Sequence, residues 1–199
     1  QHATIGHRTG STAVPGCVFG GGKGATATVT AHPYVIIGEL NTINNPHDEP
    51  IDTRATVTGD VYGGGNAADV VGGTTVLVQK CNSSYAKYVY GGGNAAKVDS
   101  TKVYITGGTI DTLFGGGHGS ITSNVSANVT YHDTISITGG TIGKAFSGSN
   151  LKGSIGGRML CHIVSKGVAL EPGVFCDLCN SLVVREELTT LITGPVGSA

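Results

Sequence analysis

Val61-Tyr62-Gly63-Gly64-Gly65-Asn66 decides the reading of this chain, because the string keeps returning. It recurs as Val89-Tyr90-Gly91-Gly92-Gly93-Asn94 and as Leu113-Phe114-Gly115-Gly116-Gly117-His118. An earlier copy reads Val18-Phe19-Gly20-Gly21-Gly22-Lys23, and a degenerate later one reads Ala145-Phe146-Ser147-Gly148-Ser149-Asn150. A second string is nested between the copies. Val103-Tyr104-Ile105-Thr106-Gly107-Gly108-Thr109-Ile110 returns as Ile135-Ser136-Ile137-Thr138-Gly139-Gly140-Thr141-Ile142. Both times the aromatic of the first string follows Gly107 or Gly139 by the same step. Preserved phase of this kind marks a repeat architecture.

The copies stand 43, 28, 24 and 32 residues apart. One unit of about 24 residues with insertions fits all four spacings. Each unit holds a short β-branched run: Thr26 to Thr30, Thr74 to Val78, Lys102 to Thr106 and Thr134 to Thr138. Such runs bounded by glycines read as strands. One unit cannot bury its apolar face alone, whereas stacked units share a core and a continuous hydrogen-bond ladder. The expected fold is all-β: a right-handed parallel β-helix (β-solenoid) of about five coils with a short C-terminal cap. A sandwich of hairpins is the alternative. The absence of Asn-Gly and Asp-Gly turn signals, and the long-range phase, weigh against it.

Composition agrees. The 199 residues include 34 glycines but only 6 prolines, with no Gly-X-Y period, so collagen is excluded. Charged residues are 13% and hydrophobic residues 39%, the reverse of a disordered chain. The net charge is −1, so no basic field attracts nucleic acid. No apolar run is long enough to enter a membrane as a helix.

The strings VYGGGNAA, VFGGGKGA, LFGGGHG and ITGGTI resemble the glycine-rich repeats of very large secreted or surface proteins of gut Bacteroidales. The resemblance covers about residues 17–156. It implies an adhesin-like β-solenoid, secreted or on the bacterial cell surface, and carries over no catalytic residue. Residues 1–157 therefore read as the repeats, and 158–199 as a cap or tail, with 176–192 either one short helix or a last strand. The repeat motif begins almost at once after Gln1. That reads as a piece of a longer array, or a chain that associates through its ends.

The longest insertion, residues 38–52, is polar and carries Glu39, Asp48, Glu49 and Asp52. Insertions in such folds become loops, often on the working side. These four acids are the candidate ligand-binding residues, for a ligand or a hard cation that wants several oxygens. Their spacing matches no established calcium loop, and no metal or cofactor is expected. Cys176-x-x-Cys179 with Cys161-His162 offers a poor zinc geometry, because its second pair is adjacent residues. Free buried cysteines are the preferred reading, with a disulfide as the alternative. The Asn82, Asn124 and Asn128 sequons read as chance in a Ser/Thr/Asn-rich sequence.

Most chemistry fails on context. Gly20-Gly-Gly22-Lys-Gly-Ala25 mimics a dinucleotide motif, but the strand-like Thr26-Ala-Thr28-Val-Thr30 replaces the required helix. No P-loop and no nucleophile elbow occur. A polysaccharide lyase or hydrolase needs clustered carboxylates. Asp60, Asp69, Asp99, Asp111 and Asp133 occupy different phases of the repeat. The expected role is thus a non-enzymatic structural or adhesive segment. Its partners would be host or microbial surface glycans or proteins, or further copies of the repeat. A carbohydrate-binding or carbohydrate-cleaving β-helix is the alternative.

The repeat residues themselves set a structural expectation. Phe19, Tyr62, Tyr90, Phe114 and Phe146, each followed by its glycines (Ser147 heading the last copy), should stack as a ladder with one rung per coil. The preceding column of Val18, Val61, Val89, Leu113 and Ala145 is also apolar. Strand alternation should bury only one of the two. Ile110-Thr112-Phe114 argues for the aromatics inside, and Val57-Gly59-Val61 for the aliphatics. The buried aromatic ladder is favoured. An exposed one would be a platform for sugar rings.

Overall fold

The computed structural model describes residues 2–9, 11–38, 54–79, 84–163 and 168–170. The acidic candidates Glu39, Asp48, Glu49 and Asp52, and the stretch 176–192, lie outside the described residues. Among the described residues every regular element is a strand, and the strands join in one 11-stranded, mostly parallel sheet.

The β-branched runs set the pairing. The longest strands are β8 (Val98–Phe114) and β9 (Asp133–Phe146). Their first halves align with β4 (Tyr34–Ile37), β6 (Val70–Val78) and β10 (Met159–Ile163). The register runs Val35↔Val76↔Val103↔Ile135↔Cys161 across all five strands. Their second halves align with β3 (Val18–Phe19), β5 (Arg54–Tyr62) and β7 (Tyr85–Tyr90). There the register is Tyr62↔Tyr90↔Phe114↔Phe146. Between the halves, β8 and β9 bend at their Gly-Gly pairs. Gly108 and Gly140 have φ of 85° and 98°, a region side chains disfavour, and the ladder shifts register there.

Two features depart from the sequence reading, and a third adds to it. Thr26–Thr30 is not a strand; it holds only an isolated bridge at Val29. The partner of Thr75–Val78 is instead β4, whose Val35 and Ile37 point inward. Second, one hairpin exists. β1 (His2–Thr9) runs parallel to β5 and turns back antiparallel into β2 (Thr12–Pro15). Thr9 pairs with Thr12 across the turn, and a Gly-Ser pair between two strand-like runs is a hairpin signal in sequence. Third, the sheet continues past residue 157, through β10 and then β11 (Val168–Leu170), both parallel to β9.

Three columns of apolar side chains hold the strands together. The largest core is aliphatic and includes Val61, Val89, Leu113, Ile105, Ile137 and Ile142. Each such side chain contributes about 1.5–3 kcal/mol on burial. A second cluster is aromatic, with Tyr62, Tyr90 and Phe114 buried and Phe19 and Phe146 packed at its ends. The third is a valine column, Val70, Val98 and Val129, flanked by Val29 and Ile155. The expectation that only one of the first two columns lies inside is therefore corrected. Alternation does send Val61 and Tyr62 to opposite faces, but both faces are covered at this end of the strand.

Candidate functional site

The glycine corner builds the aromatic ladder. The first glycine of each motif donates along the sheet: Gly63 N–H to Tyr90 O, Gly91 to Phe114 O and Gly115 to Phe146 O, at 2.8–2.9 Å. The second glycine continues, Gly64 to Gly92 O and Gly92 to Gly116 O. At the next position but one the direction reverses, with Asn94 N–H donating to Gly65 O and His118 to Gly93 O. His118, which follows one triplet, sets its ring edge-on to Tyr90 with centroids 5.5 Å apart. The rings stack face to face: Phe19–Tyr62, Tyr62–Tyr90, Tyr90–Phe114 and Phe114–Phe146 have centroids 4.8, 4.8, 5.0 and 5.0 Å apart. That is the spacing of adjacent strands.

Polar groups close the ladder from outside. Asn94 donates to Asn66 Oδ1 at 2.8 Å, and His118 Nδ1 lies 3.1 Å from Asn94 Oδ1. Asn150 donates to the Tyr90 hydroxyl at 2.9 Å, and the Tyr62 hydroxyl donates to Asp60 Oδ2 at 2.9 Å. Burial first, and for Tyr62 the Asp60 carboxylate next, holds both phenols well above their ordinary range. With Tyr62, Tyr90 and Phe114 only 1–6% exposed, the middle of the ladder offers no platform to a sugar, while Phe19 and Phe146 at its ends are half-buried.

Four of the five carboxylates considered for catalysis, Asp60, Asp69, Asp111 and Asp133, accept hydrogen bonds from separate groups. Asp69 Oδ1 accepts from Lys97 N–H, and Asp111 Oδ2 from the Tyr85 hydroxyl at 2.7 Å. Among the described residues no group of three or more His, Cys, Asp or Glu could hold a metal ion. Asp133 is the exceptional acid. It stands in register with Thr74 and Thr101, at a position where threonine packs on the first glycine of a motif. The Thr74 hydroxyl donates there to Gly91 O at 2.6 Å. The longer aspartate instead reaches over Gly115 and accepts from Thr101 Oγ1 at 2.8 Å. Its other oxygen, Oδ2, is buried without a partner. Burial outweighs the Thr101 bond and pushes its pKa up to about 7.

The exposed chemistry lies on the outward face of β4, β6, β8, β9 and β10. One row reads Tyr34, Thr75, Lys102, Thr134 and Leu160; the next reads Ile36, Leu77, Tyr104, Ser136 and His162. Tyr34 is 57% exposed and Ile36 53%. Beside the first row, Gly73 leaves a shallow hollow of about 150 Å³ among His32, Thr75, Ser100 and Lys102. His32 Nδ1 accepts from Gly73 N–H at 2.9 Å, so the imidazole is fixed at the rim. Sequence reasoning missed this face. The signal was the alternation of Lys102-Val-Tyr104-Ile-Thr106, whose outward members went unread.

Two cysteines are described, both free: Cys17 is exposed and Cys161 buried. Burial, then the nearby Asp133, pushes the Cys161 thiol up to about 12. The thiolate is the reactive form. Cys17 should therefore label readily with a thiol reagent at pH 8, while Cys161 labels only after denaturation. Peptide mapping by mass spectrometry checks this, and fast native labelling of Cys161 would contradict the packing of β10.

Comparison with known proteins found no matching family model, no similar curated protein and no similar solved structure.

Proposed function

We propose that the chain is a right-handed parallel β-helix of about five coils that acts as a non-enzymatic structural or adhesive segment of a secreted or bacterial cell-surface protein. One observation carries this reading. The repeated motifs serve stacking: the aromatic and aliphatic columns pass through successive strands, and the valine column through segments joined by parallel bridges. A rigid stack with an exposed outer face suits spacing and display. The partners on this reading are surface glycans or proteins, or further copies of the repeat. The resemblance to adhesin-like surface repeats points the same way. The test is a panel of immobilised glycans and matrix proteins, run beside polysaccharide digestion assays. Saturable binding to a panel member with no sugar released is the expected result. Cleavage of a polysaccharide would replace this reading with the carbohydrate-active alternative.

A further inference from the structure

We propose that the outward face of β4, β6, β8, β9 and β10 binds an anionic polysaccharide, with one carboxylate or sulfate substituent seated in the hollow at Gly73. The inference rests on the adhesive reading above and names the ligand class for it. Charge complementarity commits it to an anion. The two outward rows contain no aspartate or glutamate, although acids outnumber bases over the whole chain, 13 to 12. Lys102 stands within this face and Arg158 at its border, both exposed. The acid next to these rows in sequence, Asp133 beside Thr134, is buried with its carboxyl against Gly115 and is not part of this face.

The remaining groups select a sugar over other anions. Tyr34 and Tyr104 supply aromatic surface for the apolar face of a pyranose ring. Ser100, Thr75 and Thr134 supply hydroxyls that both donate and accept. Adjacent strands lie about 4.8 Å apart, close to the length of one sugar unit, so an extended chain crossing the strands meets a similar row of side chains at each step. The hollow, at about 150 Å³, is smaller than the roughly 300–1,000 Å³ of a pocket that engulfs a ligand. It suits a single charged substituent, with Lys102 and His32 in its wall. Two cations, Lys102 and Arg158, are too few for nucleic acid, whose binding rests on many phosphate contacts.

The experiment is affinity electrophoresis of the full chain through gels containing polygalacturonate, dextran sulfate, neutral dextran or duplex DNA. Retardation by polygalacturonate assigns a carboxylate, and by dextran sulfate a sulfate; either supports the proposal. Lys102→Glu should weaken that binding by about tenfold or more, and Lys102→Gln combined with Arg158→Gln should weaken it too, with the circular dichroism of both variants unchanged. Lys87→Glu, on β7 with its ammonium near the Tyr88 ring, should leave it intact. No retardation by either anionic polymer overturns the proposal, as does equal retardation by DNA or an equal loss in Lys87→Glu. Binding to a neutral glycan or a protein on the panel, without anionic binding, removes this proposal and leaves the adhesive reading standing.

Discussion

Asp133→Asn should melt on the order of 10 °C higher than the parent chain at pH 8, and the difference should shrink towards nothing as the pH is lowered to about 4. The cause is the buried carboxyl, pushed up to about 7 in the folded chain. In the unfolded chain an aspartate titrates near 3.9. The folded pKa is raised, so the folded state holds the extra proton between about pH 4 and 7. Stability from this group is complete below pH 4 and is lost as the pH rises through 7. The loss is about 4 kcal/mol at pH 8. Asparagine carries no such charge, so its variant lacks this slope. Asp133→Thr should behave likewise, because threonine is what Thr74 and Thr101 place at the same register. Thermal melts from pH 4 to 8 measure both. A parent whose melting temperature stays level with Asp133→Asn across that range would mean that the carboxylate is solvated.

Gly91→Ala should cost at least about 3 kcal/mol, whereas Gly148→Ala should be neutral or stabilising by about 0.4–1 kcal/mol. A methyl at Gly91 falls deep inside van der Waals distance of the Gly115 carbonyl oxygen, with 2.9 Å to Thr101 Cβ and 3.0 Å to Val103 Cγ2. The obstacle is the neighbouring backbone, which is tied by the Gly91–Phe114 and Gly92–Gly116 hydrogen bonds. Relief requires opening the parallel ladder beside the aromatic stack. At Gly148 nothing lies within 4 Å, and its φ is not positive. The degenerate motif Ser147-Gly148-Ser149 follows from this. Among the described residues no further glycine motif stacks on it, so the demand for close approach lapses there. Chemical denaturation of the two variants decides it. A Gly91→Ala chain as stable as the parent would mean that the glycine triplets are not close-packed.

The phase of the repeat was enough to place Tyr62, Tyr90 and Phe114 over one another, because equal phase in parallel strands leaves equivalent side chains no other relation. The inward set of β6, β8 and β9 was likewise legible as alternation in Thr74–Val78, Lys102–Thr106 and Thr134–Thr138. Asp133 could have been read too, since aligning the two ITGGTI strings sets it against Thr101. Burial of both the Val61 and Tyr62 columns could not be read. Alternation assigns opposite faces, but whether the second face is covered depends on distant groups that pack on the rings, such as His118 edge-on to Tyr90 and Asn150 on its hydroxyl. The choice of Tyr34–Ile37 over Thr26–Thr30 as a strand was also tertiary. Both segments are β-prone, and pairing with β6 selects the one whose Val35 and Ile37 reach the shared core. The carboxylate-free outer face belongs to the same class. Lys102 and Arg158 are 56 residues apart in sequence, and only the parallel register of β8, β9 and β10 brings them to one surface.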